Sequence, residues 1–217
     1  MSSSDSFIDE VTEEVRRDKM FRLMRRYGWI PALIVVTAVA GAAVFEWRKA
    51  VNRAEAQAFG DRLLVALEND DPRARLDALS KIGADGDSAA VVRFLRAAEA
   101  QAVGDTEQAL RELSAIAGDN SLPQSYRQLA LLKKAMLGVG TTPVAERRAA
   151  MEQLAAPGQA FRPLALEQLA LLELETGDRD AAITRLQAIL SEPDVSPGLR
   201  QRASQAIVAL GGDLGTG

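Results

Sequence analysis

VGDTEQALRELSAI, Val103 to Ile116, returns 73 residues later as TGDRDAAITRLQAI, Thr176 to Ile189, and the reading of this pair decides the fold. Gly104-Asp105 falls on Gly177-Asp178, Ala109 on Ala182, and Leu113 and Ile116 on Leu186 and Ile189. Each matched position has a physical cause. Glycine ends one helix, aspartate caps the next, and apolar residues three and four apart make one buried stripe. RARLDALSKI, Arg73 to Ile82, aligns with EQALRELSAI, Glu107 to Ile116, at a shift of 34, which brings Leu76, Leu79 and Ile82 onto Leu110, Leu113 and Ile116 and Asp71 onto Asp105. A weaker copy, AAMEQL with Met151 and Leu154, fills the gap between them. Such self-similarity means stacked helical units that bury their apolar faces only against neighbours.

Thirty-four residues is the period of the tetratricopeptide repeat, and G-D-x-x-x-A at Gly104 and Gly177, with Ala109 and Ala182 at the small position of the second helix, resembles that family. The copies are degenerate. Where the family's first helix carries bulky aromatics, this chain has Arg93 and Ala100, then Leu166 and Glu173. The expected fold is all-α: a degenerate tetratricopeptide-like α-solenoid over residues 48–210, then a disordered tail over 211–217.

Upstream lies the long apolar run, RRYGWIPALIVVTAVAGAAVFEWRK, Arg25 to Lys49, with 19 uncharged residues from Tyr27 to Phe45. At about 1.5 Å per residue it matches the ~30 Å hydrocarbon thickness of a bilayer. Tyr27 and Trp29 stand at one end and Trp47 at the other, where amphipathic rings favour the membrane interface. A core helix has no reason to place them there. A cleaved signal peptide is the rival reading, because Ala38-Val39-Ala40 and Ala40-Gly41-Ala42 fit the small-x-small cleavage pattern. The 26-residue lead-in and the Arg48-Lys49 flank favour a permanent single transmembrane helix over 27–47. No Gly or Pro separates Gly41 from Phe59, so this helix is expected to run on into the first helix of the solenoid as a fairly rigid junction.

The charges set the orientation. Residues 5–15 carry five acids and no base, whereas Arg16, Arg17, Lys19, Arg22, Arg25 and Arg26 abut the apolar run against Arg48, Lys49 and Arg53 beyond it. Basic flanks stay inside, so the amphipathic segment 1–26 is expected in the cytoplasm, with Arg22, Arg25 and Arg26 fixing topology. Residues 48–210 then face the periplasm of a Gram-negative cell. Ser6 and Asp9 suit a capping box at the start of that segment.

The chain has no Cys and no His, which removes thiolate and imidazole metal sites and Ser-His or Cys-His nucleophile pairs. No enzymatic activity and no cofactor are expected. Beyond Phe45 there is no basic block, which argues against nucleic-acid binding. GVGTTP, Gly138 to Pro143, lacks the lysine and the strand of a phosphate loop and reads as a linker between helices. Glu167, Glu173, Glu175, Asp178 and Asp180 read as a solvated face and turn. Ala38, Gly41 and Ala42 leave a homo-oligomer open.

A short charged amino end, one apolar helix flanked by R-Y-G and W-R, and a degenerate helical-repeat domain together resemble the YfgM-like family, ancillary subunits of the SecYEG translocon. The lead-in departs from that pattern in its length. The resemblance implies a non-enzymatic, membrane-anchored adaptor at the bacterial inner membrane that links newly translocated polypeptides to periplasmic chaperones. A scaffold subunit for another envelope complex, respiratory or outer-membrane, is the alternative. Co-chaperones with this repeat clamp a terminal carboxylate with Lys and Asn on the first helix. The corresponding positions here are Phe94 and Ala98, then Glu167 and Leu171, so a more apolar groove is expected instead.

Overall fold

The structure, a computed structural model, describes residues 24–27, 29–193 and 195–214, and the side chains of all of these but residues 31 and 32. Among the described residues every regular element is an α-helix: α1 Trp29–Leu67, α2 Pro72–Ser80, α3 Gly86–Ala102, α4 Thr106–Ala117, α5 Gln124–Leu137, α6 Val144–Leu154, α7 Arg162–Glu175, α8 Arg179–Leu190 and α9 Pro197–Ala209. The chain divides into two compact units, Met1–Asp61 and Arg62–Gly217. Ser6, Asp9 and Arg22 lie outside the described residues.

In the first unit α1 carries the apolar run. Leu33, Ile34, Val35 and Val36 are each more than half exposed, and four successive residues at about 100° apiece point to every side of a helix. The hydroxyl of Thr37 donates to the Leu33 carbonyl at 2.8 Å, so it asks nothing of its surroundings. Among the described residues no helix is long and apolar enough to cross a membrane. The span expected over 27–47 is helical from Trp29 onward.

The second unit is a succession of helices in which the main contacts join neighbours in sequence, α2 with α3 through to α8 with α9. This is solenoid-like packing. The second members of successive pairs begin at 72, 106, 144 and 179, at intervals of 34, 38 and 35 residues. The matched positions are the packed ones. Ala109, Ile116, Ala182 and Ile189 are fully buried, as are Leu79 and Met151, with Leu113, Leu154 and Leu186 nearly so. Alanine at Ala90, Ala97, Ala100, Ala109 and Ala130 lets the early helices approach closely, with Leu113 and Ile116 filling the gaps. A second cluster runs from Leu132 to Ile207, and α5 serves both, giving Ala130 to one and Leu132 and Ala135 to the other.

The two Gly-Asp corners are built alike. Gly104 and Gly177 take left-handed backbone at φ +81 and +84°. Asp105 donates its N–H to the Ala100 carbonyl and Asp178 to that of Glu173, both at 2.8 Å. Each aspartate then caps the following helix, accepting from the Gln108 N–H at 2.8 Å and from the Ala181 N–H at 3.1 Å. GVGTTP is the turn joining α5 to α6, closed by the Thr142 N–H on the Gly138 carbonyl at 2.7 Å.

Where disorder was expected from 211 onward, Gly211 to Asp213 are tied back instead. The Gly212 N–H reaches the Ile207 carbonyl at 2.9 Å, and the Gln187 amide donates to the Asp213 carbonyl at 2.8 Å. The glycine-ended helix leaves its last carbonyls needing donors, and this tail supplies them. Residues 215–217 lie outside the described residues.

Candidate functional site

Two clefts with exposed apolar residues border α5 in the second unit, and a smaller, more polar one lies among Gln124, Arg127, Gln128, Gln153 and Gln159. The first, of about 380 Å³, is lined by Phe94, Ala97, Ala98 and Gln101 of α3, Leu113 of α4, and Lys133, Met136 and Leu137 of α5. Phe94 is fixed edge-on against Tyr126, with ring centroids 6.3 Å apart. The second cleft, of about 240 Å³, lies between α5 and α7 and is lined by Ala135, Val139, Met151, Gln168, Leu171 and Leu172, with Arg147 and Glu175 paired at its edge. Met136, Val139 and Leu171 are about half exposed or more, although a complete core lies beneath them.

Of the four groove positions named from sequence, Phe94 and Ala98 line the first cleft and Leu171 the second. Glu167 is elsewhere. Its carboxylate takes a two-pronged bond from Arg202 of α9, at 2.8 and 2.9 Å. One residue along a helix is about 100° of rotation, so Gln168 lines the cleft while Glu167 turns toward α9. Lys133, Met136 and Val139 were not found from sequence, because the copy that contains α5 and α6 was recognised only at Met151 and Leu154. The signal was available as spacing: α3, α5 and α7 begin at 86, 124 and 162, at even intervals of 38.

The membrane-side candidates all fall in the first unit. Arg25, Arg26, Tyr27, Trp29 and Trp47 are exposed, and the Arg26 guanidinium lies over the Tyr27 ring at 5.8 Å. Trp29 and Trp47 are 18 residues apart on one helix, about 27 Å along its axis.

The acidic run read as a solvated face is largely committed to ion pairs. Glu173 is buried and accepts from Arg185 at 2.5 and 2.6 Å, with Arg148 at 3.8 Å. Glu175 pairs with buried Arg147 at 2.5 Å. Buried Glu112 likewise sits between Arg93 at 3.2 Å and Arg96 at 2.7 Å. A buried charge persists only with such partners. The guanidinium of Arg202 is held protonated above its ordinary range, first by its hydrogen bond to Glu167. Among the described residues no three carboxylates are placed to hold a metal ion.

No protein-family model matches the chain, and no curated protein matches it.

Proposed function

We propose that the chain is a membrane-anchored adaptor whose tetratricopeptide-like domain holds protein segments in the clefts beside α5. The observation that carries this reading is the exposure of Met136, Val139 and Leu171 around those clefts, the first and last on helices whose other faces are packed and Val139 in the turn after α5. Exposed apolar side chains gathered in a concave place mark an interaction site more readily than a fold requirement. The spacing of 34 to 38 residues and the paired Gly-Asp corners support the repeat assignment.

The anchor rests on the 19 uncharged residues from Tyr27 to Phe45 and on aromatic residues at both ends. Apolar side chains on every side of α1 fit a lipid solvent better than a single packed stripe would. The resemblance to the YfgM-like family makes the SecYEG translocon, periplasmic chaperones and nascent secreted polypeptides the proposed partners, with the amino end cytoplasmic. No catalytic role is proposed.

The test is a photoreactive residue at Leu171 of the full chain in intact membranes. Adducts with translocon subunits and with polypeptides in transit are expected. Adducts confined to a respiratory or outer-membrane assembly would replace the translocon with another envelope complex. In spheroplasts, external protease should digest residues 48–210, and protection of that region would overturn the orientation.

A further inference from the structure

We infer that Asp85-Gly86, at the joint between α2 and α3, is a site of self-modification, where the aspartate rearranges through a cyclic imide to isoaspartate. The inference stands apart from the adaptor reading and needs no ligand, because the dipeptide supplies both reacting groups.

Asp85 is the only aspartate in the chain that is followed by glycine. Asp71, Asp85, Asp105 and Asp178 each stand at the N-cap of a helix, so the four can be compared directly. All four are exposed, and exposure does not separate them. Their bonds do. The carboxylates of Asp71, Asp105 and Asp178 accept from the N–H groups of Arg73, Gln108 and Ala181 at 3.0, 2.8 and 3.1 Å. That of Asp85 caps nothing and, among the described residues, has no hydrogen bond or ion pair. The carbonyls of the other three accept from the helix at 3.1, 3.1 and 3.2 Å, whereas the Ala89 N–H reaches the Asp85 carbonyl only at 3.4 Å, past the ordinary range.

The nucleophile is as free as the electrophile. The Gly86 N–H is one of the orphan donors of a helix start and, among the described residues, makes no hydrogen bond. A Cβ on Gly86 would meet nothing within 4 Å, so the backbone there is open on the side where other residues carry a side chain. By contrast, Pro72 after Asp71 has no N–H, and Thr106 and Arg179 after Asp105 and Asp178 carry side chains beside theirs.

Ring closure turns the Asp85-Gly86 peptide about the Asp85 Cα–C bond, and the 3.4 Å bond from Ala89 is the only hydrogen bond on that peptide among the described residues. The Gly86 nitrogen attacks Cγ of the acid form of Asp85. A C–N bond forms, a C–O bond breaks, and the amide proton leaves with the carboxyl hydroxyl as water. A water then adds to one of the two imide carbonyls and breaks its bond to nitrogen. Addition at Cγ restores aspartate. Addition at the former main-chain carbonyl leaves Gly86 joined through Cγ and frees an α-carboxylate. The main chain is then longer by one carbon between α2 and α3, and the carbonyl that Ala89 reaches has become the free carboxylate.

The test uses the full chain in detergent micelles, held at neutral pH and physiological temperature for several weeks. Methyl transfer by an isoaspartyl methyltransferase counts the product, and fragment masses place it in the chain. Label at Asp85 should exceed that at Asp105 or Asp178 about fivefold or more, the population factor of a single N-cap bond. Asp85→Ser, which keeps a capping residue, should remove it. Thr106→Gly separates structure from sequence, because it gives Asp105 the same following residue and leaves the Gln108 bond in place. In that variant Asp105 should still label about fivefold more slowly than Asp85. Unchanged circular dichroism checks that the variant folds, and the comparison within the unsubstituted chain does not depend on it. An Asp85 that stays unlabelled would overturn the inference. So would equal labelling of Asp85 and Asp105 in Thr106→Gly, since the dipeptide alone would then set the rate and the unbonded state of Asp85 would count for nothing.

Discussion

Glu112 and Arg185 occupy the same position of two helix pairs, 73 residues apart, and carry opposite charge. Each is neutralised from the first helix of its own pair: Glu112 by Arg93 and Arg96 of α3, Arg185 by Glu173 of α7. In these two pairs the position carries a charge of either sign that is neutralised within the pair, whereas at the shift of 34 the same position is Ala78. Ala100, which aligns with Glu173 at the shift of 73, is free to be a fully buried alanine because the charge in its pair lies elsewhere.

Removing Glu173 should expose the cost of this arrangement. Glu173→Gln leaves Arg185 and Arg148 facing a neutral amide, and both arginines are about one-third exposed, so water relieves part of the loss. A destabilisation of about 2–3 kcal/mol is expected, below the range for a wholly buried pair. The double change Glu173→Leu with Arg185→Met should recover most of it, because apolar replacements of a buried pair are often neutral or better. Urea unfolding of the full chain in micelles, followed by circular dichroism, measures both. A double variant no more stable than Glu173→Gln would refute the account.

What could be read from the sequence, and what could not, follows from how each feature is encoded. The Gly-Asp corners and the stripes at Leu113/Ile116 and Leu186/Ile189 are local, periodic and repeated, and they sit where the register put them. The pairs that neutralise Glu112 and Glu173 join residues on different helices and swap sign between copies, so no alignment of one repeat on another shows them. The cleft residues of α5 were missed for a related reason. Lys133 and Met136 belong to the most divergent copy, and exposed groove positions carry no hydrophobic periodicity to find them by. Glu167 was misplaced by one residue, enough on a helix to turn a side chain from the groove onto Arg202.

The two corner glycines should respond equally to a methyl group. A Cβ at Gly104 or at Gly177 meets nothing within 4 Å, so the penalty is conformational alone, set by φ +81 and +84°. Gly104→Ala and Gly177→Ala should each cost about 1–2 kcal/mol. Asparagine, which tolerates left-handed backbone, should cost less at both sites. Unequal losses, or asparagine worse than alanine, would show that packing and not backbone conformation dominates at these corners.

Asp119 gives the loop between α4 and α5 a defined acid response. Its carboxyl titrates below the ordinary carboxylate range, first because the Ser121 hydroxyl donates to it at 2.6 Å and then because the Ser121 N–H does so at 2.9 Å. A depressed value means that the contribution is complete above the ordinary carboxylate value, about pH 4, and is lost as pH falls through the lower folded value. Ser121→Ala should move the Asp119 titration upward toward its ordinary value while the neighbouring helices stay folded. Carboxyl chemical shifts across a pH series read this directly. A titration unmoved by the substitution would remove the Ser121 hydroxyl as the cause.

The tail beyond α9 should prove part of the fold. A Cβ on Gly212 would lie 2.9 Å from Ile183 Cγ2 and 3.0 Å from Ile207 Cγ2, the latter in the core cluster and the former packed against it. Gly212→Ala must therefore push those methyls aside or lift the tail and break the Gly212 bond to Ile207 and the Gln187 bond to Asp213. A loss of about 1–2 kcal/mol is expected, in the range of overpacking. Hydrogen exchange separates the effects: the Gly212 amide should lose protection, and amides early in α8 should keep theirs. If truncation after Leu210 left stability and exchange in α9 unchanged, the tail would contribute nothing, and the bonds that tie Gly211 to Asp213 back would be incidental.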